Sequence, residues 1–121
     1  MTVEQELVKF KEDMSLKDII YTYVDEHKYG FVPSFGLMDE KLRKKVFDAY
    51  YNELNSVEQA AVTNNALNRI FSKGINKKEE INKNIKPELM DLCANVIQHK
   101  IEKIANEFWV LVSEYGDIAN F

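Results

Sequence analysis

Cysteine, arginine, proline and glycine are all scarce in this chain of 121 residues, and each scarcity excludes something. The single thiol, Cys93, cannot close an internal disulfide, so no covalent staple is available. On an apolar helix face such a residue reads as a small core hydrophobe, not as a nucleophile. Two prolines and four glycines leave long stretches without a helix breaker. No apolar run approaches the roughly 20 residues that cross a bilayer. The opening Met1-Thr2-Val3-Glu4-Gln5-Glu6 lacks the basic and apolar regions of a secretory signal. These absences predict a cytoplasmic chain with no membrane association. Arginine is present only as Arg43 and Arg69 against many lysines, asparagines and isoleucines, a bias that fits an AT-rich genome, bacterial or phage.

The chemistry-bearing motifs are missing as well. The chain has neither a Gly-x-x-x-x-Gly-Lys phosphate loop nor a Gly-x-Gly-x-x-Gly dinucleotide turn. Its two histidines are His27 and His99. His99 and Glu102 share a helix face at i, i+3, but a metal shell needs a third ligand that the spacing does not supply. His27, near the end of a helix, reads as a partner of the helix dipole. With no base, orienting partner and nucleophile in any recognisable spacing, we expect no enzyme activity, no cofactor and no metal.

What is present points to helices. Hydrophobic residues make up 45% of the chain and charged residues 30%, enough for one core in a single helical domain over 1–121. Thr2-Val3-Glu4-Gln5 and Ser56-Val57-Glu58-Gln59 read as capping boxes, and Ser15 and Asn76 as weaker caps. Gly30, Gly74 and Gly116 sit where helices should stop, and Pro87 suits a first turn. Apolar residues between these marks recur at three and four, never at two, which predicts no sheet. Helices are expected near 3–12, 16–29, 39–54, 57–73 and 87–115, with a short one near 77–85. The expected architecture is an all-α bundle of four or five helices with a long C-terminal helix.

That last helix carries the strongest pattern. Met90, Ile97, Ile104, Leu111 and Ile118 are spaced by seven, and Ala94, Ile101, Phe108 and Tyr115 form a second such series. One reading makes it the central staff of an intramolecular bundle. The other makes it a homodimer seam through Ile97, Ile101, Ile104, Phe108 and Leu111.

Two further segments invite a binding role. The stretch from Gly30 to Met38 is bounded by glycine and unusually apolar for a connection, so Phe31, Phe35, Leu37 and Met38 are candidate anchors for a protein partner. Folding back as a lid on the bundle is the competing role. Charge is also uneven: residues 1–40 hold nine acids and four lysines, 41–86 five acids and ten basic residues, and 87–121 six acids and two lysines. The basic middle places Lys41, Arg43, Lys44 and Lys45 before a polar helix carrying Asn64, Asn65, Asn68 and Arg69, then Lys73, side-chain types that contact phosphates and base edges. A formal net charge of −4 argues against a polyanionic partner. The expected function is therefore a non-enzymatic regulator or inhibitor that binds another protein, with a nucleic-acid-binding regulator acting through 41–86 as the alternative.

Overall fold

In the computed structural model the described residues are 14–116, and they contain four α-helices and one 3-10 turn with no strand. In chain order these are α1 (Leu16–Val24), the 3-10 turn Phe35–Leu37, α2 (Glu40–Asn52), α3 (Ser56–Ser72) and α4 (Lys78–Tyr115). The all-α bundle with a long C-terminal helix is thus observed. The helix expected near 3–12, with its Thr2 cap, and Ile118 at the end of the seven-residue series lie outside the described residues.

Helix starts are set by side chains that satisfy the first free amides. Ser15 Oγ accepts from the Asp18 amide at 3.1 Å, and the Leu16 amide donates to Glu53 Oε2 at 3.0 Å, a cap delivered from the end of α2. At α2, Asp39 accepts from the Leu42 amide at 2.9 Å. At α3 the capping box exists but begins one residue earlier than expected. Asn55, not Ser56, is the cap, and Glu58, not Gln59, reaches back to it at 3.0 Å. The shift has a local reason: Asn caps as well as Ser, and only this register places a glutamate at the third helical position. Gln59 is released to donate to the Tyr51 carbonyl at 2.9 Å. Gly74, at φ 84°, closes α3 in a conformation that disfavours any Cβ.

Two boundaries differ from expectation. α1 ends at Val24 rather than near 29, so His27 lies beyond the helix and not within its last turn. The imidazole is exposed, with Nδ1 2.7 Å from the Tyr23 carbonyl and its ring stacked on Phe31 at 4.2 Å. α4 runs unbroken for 38 residues, absorbing the separate short helix and carrying Pro87 in its interior. Proline there removes the amide that would bond the Lys83 carbonyl and costs about 3 kcal/mol. Packing on both sides of the break offsets this: Ile85 rests against the core and Leu89 is buried.

The core draws Leu16, Ile19, Ile20 and Val24 from α1 and Leu42, Val46, Phe47, Ala49 and Tyr50 from α2. From α4 it takes Leu89, Cys93, Ile97, Ile101, Ala105, Phe108 and Trp109. Apart from Phe108, those positions recur every four residues, not every seven. Steps of four advance about 40° around a helix, so the buried stripe drifts steadily around α4, with Phe108 lying about 100° from Leu89. The buried face of α4 therefore drifts around the helix along its length, which suits a staff wrapped by successive elements. α3 lies along the earlier half, tied by Arg69–Asp91 and Lys73–Glu88. α1 and the loop after it cover the later half, where Tyr21 meets Phe108 edge-on at 5.2 Å.

Candidate functional site

The apolar loop resolves first. Gln98, half-buried on α4, accepts the Phe35 amide on Oε1 at 2.7 Å and donates from Nε2 to the Pro33 carbonyl at 3.0 Å. One carboxamide thus satisfies a donor and an acceptor of the loop backbone. Farther along α4 the Trp109 indole N–H donates to the Phe31 carbonyl. Pinned at both places, the loop turns Phe35 and Met38 into the core, with 3% and 6% of their surface exposed. Instead of standing out as anchors for a partner, the Phe35 ring and the Met38 thioether fold back as a lid on the bundle, the competing role. Phe31 is half-buried between Tyr23 and His27, and only Leu37, 87% exposed, still faces outward.

The seam proposed for a second copy is largely consumed within the chain. Ile97, Ile101 and Phe108 are fully buried against the chain's own helices, and Ile104 and Leu111 are half-buried. Tyr115, in the same register, is exposed. A strict seven-residue reading fails because the neighbours of α4 change along its length.

The basic segment is broken up by carboxylates. Lys44 pairs with Glu40 at 3.2 Å, Arg69 with Asp91 at 3.3 Å, Lys73 with Glu88 at 3.0 Å and Lys86 with Asp48 at 2.8 Å. Lys41 is exposed and Lys45 half-buried, and Asn64, Asn65 and Asn68 are exposed on α3. Four basic side chains of 41–86 are thus held in ion pairs, while Lys41, Lys77 and Lys78 are exposed outside those pairs.

Part of that segment is instead gathered into a cleft of about 550 Å³ between the first half of α2, the 3-10 turn and the first half of α4. Phe35, Met90 and Ala94 supply apolar lining, and Pro87 and Gly36 border it. Arg43 and Lys44 approach from α2, Lys83 and Lys86 from α4, with Glu40 and Asp91 among them. Both of those carboxylates already hold a cation, Lys44 and Arg69 respectively. Among the described residues neither Arg43 nor Lys83 has a carboxylate within ion-pair distance. The cleft therefore carries two uncompensated positive charges above an apolar floor. Sequence reading singled out Arg43 but missed Met90, Ala94 and the pairing with Lys83, because forty residues separate the two cations and only the packing of α2 on α4 joins them.

Two further reactive groups, Cys93 and His99, lie outside the cleft lining. Cys93 is buried against Tyr50, and burial pushes both groups above their ordinary values, an effect that a hydrogen bond from Tyr50 partly reverses for the thiol. A thiol so held stays protonated and is a poor nucleophile. His99 is exposed, 3.9 Å from Glu102. Among the described residues no three His, Cys, Asp or Glu side chains gather as a metal site, and no helix is long and apolar enough to cross a membrane. No family model, curated protein or solved structure matches the chain.

Proposed function

We propose that this protein is a cytoplasmic, non-enzymatic regulator or inhibitor that works by docking another protein in the cleft between α2 and α4. The observation that carries this reading is the open cleft itself, with an apolar floor of Phe35, Met90 and Ala94 below the unpaired Arg43 and Lys83. Interfaces combine an apolar centre with a polar or charged rim, and methionine adapts its shape to what it meets. The nucleic-acid alternative has less support, since Lys44, Arg69 and Lys73 each sit in an ion pair and would have to leave it to meet a phosphate.

Two substitutions at the floor test this. Ala94→Arg and Met90→Lys fill the cleft from half-buried positions that also pack against the core, so a melt accompanies each to show that the fold survives. Each should abolish stoichiometric capture of the partner that the unaltered chain retains. If capture persists in both, the partner docks elsewhere. If duplex DNA or RNA binds in its place, with affinity falling steeply with salt, the nucleic-acid reading replaces this one.

A further inference from the structure

We infer that the element received by the cleft is an acidic peptide segment of a partner protein, in which carboxylates flank one apolar side chain. The inference rests on the reading of the cleft as a protein-docking surface and specifies the chemistry of what enters it.

Charge complementarity gives the sign. Four cations and two carboxylates line the cleft. Lys44 is spent on Glu40, and Lys86 on Asp48 outside the lining, while Asp91 is already held by Arg69 from α3. Arg43 and Lys83 remain, one on each wall, and an entering carboxylate would meet no unpaired acid. A guanidinium offers a planar fork to a carboxylate, and an ammonium a mobile point charge, so the two walls accept slightly different placements. The opposite choice, a basic segment, would have to displace Lys44 or Arg69 from an existing pair before gaining anything.

The number of free charges separates a peptide from a polyanion. Duplex binding relies on many phosphate contacts, whereas within the cleft two cations lack an ion-pair partner, in a molecule of formal net charge −4. Sparse carboxylates separated by apolar side chains match two charges over an apolar floor better than a dense phosphate backbone does. Openness separates a peptide from a small molecule. A small ligand needs most of its surface enclosed, but this cleft is open on one side, and a segment needs only one side chain inserted.

The test is a selection from a random-peptide display library on the full chain, sequenced after selection on the unaltered protein and on the double variant Arg43→Glu/Lys83→Glu. Both substituted side chains lack ion-pair partners, so the variant should melt like the parent. On the unaltered protein the recovered peptides should carry Asp or Glu on both sides of a single apolar residue, and synthetic copies should weaken about tenfold or more on the double variant. On the double variant the recovered peptides should carry Lys or Arg at the flanking positions, a reversal that a merely structural role for the two cations would not produce.

Basic or uncharged consensus peptides, no recovered peptide at all, or acidic peptides that bind parent and variant equally would each overturn the inference. Duplex binding lost in the double variant would overturn it in favour of nucleic acid. The broader reading fails separately. A natural partner that is lost on Ala94→Arg but indifferent to Arg43→Glu/Lys83→Glu keeps the cleft and removes the acidic segment, and a partner indifferent to both removes the cleft as well.

Discussion

α1 and α3 are held by different means. α1 has nine residues and buries four of them, Leu16, Ile19, Ile20 and Val24. α3 has seventeen and buries two, Ala66 and Ile70, while Val57 and Phe71 stand largely in solvent. A helix of nine residues is too short to persist alone in water, so packing must sustain α1. α3 is long enough to contribute its own stability; the Asn55–Glu58 box caps its start, Gln59 and Thr63 bond Tyr51 of α2, and Arg69–Asp91 and Lys73–Glu88 tie its later part to α4. Exposed ion pairs of that kind contribute at most about 1 kcal/mol each. The contrast teaches that burial, not length, marks which segment the fold depends on.

The largest effect should come from breaking α1 at its centre. Ile20→Asp places an unpaired carboxylate where no surface is exposed and should cost about 4 kcal/mol or more, removing cooperative unfolding in a denaturant titration. A midpoint near the parent's would show that α1 is dispensable and that its burial means little.

Next is the loop lid that lies between α1 and α2. Phe35→Ala should lower stability by about 3 kcal/mol, read as a fall in the melting midpoint, because the ring fills core space and Gln98 holds its backbone in place. Unchanged melting would return Phe35 to the surface and revive it as a partner anchor.

α3 offers the smaller counterpart. Asn55→Ala should cost about 1 kcal/mol, the usual worth of a helix cap, measurable as a modest shift in denaturant midpoint. A loss as large as that of Ile20→Asp would mean that α3 nucleates the fold and would invert the comparison.

The smallest effect is expected in alkali. Burial raises Cys93 and Tyr50 above their usual values of 9.0 and 10.0, so the unfolded chain loses these protons at lower pH than the folded one. Their contribution is complete below those unfolded values and is lost as pH rises through the folded ones. Stability should therefore be level in this respect through neutral pH and decline above about pH 9. Cys93→Ala should delay part of that decline, and an identical alkaline profile in parent and variant would place the effect in other groups.

Much of the helix punctuation was legible because it is local. Ser15 closes on Asp18, three residues on, and Gly74 stops α3 through its own φ. The Asn55 box was misplaced by one residue because Ser56-Val57-Glu58-Gln59 presents the same pattern in the next register, and only the competition between two adequate caps decides. Pro87 misled for a related reason: proline favours a first turn, but Ile85 and Leu89, packed on either side, carried α4 through it.

By itself the sequence determined the all-α class, the long last helix and the apolar character of the 30–38 loop, since caps and three-to-four spacing act within one or two turns of chain. Tertiary structure decided which apolar residues are spent. The seven-residue series on α4 became a rotating four-residue stripe because α3 covers one part of the helix and α1 another. Phe35 and Met38 became core because Gln98, sixty-three residues from Phe35, meets the loop's backbone groups. Arg43 and Lys83 became neighbours of one cleft for the same kind of reason: a charge is written in the sequence, but whether it has a partner depends on which helix packs opposite.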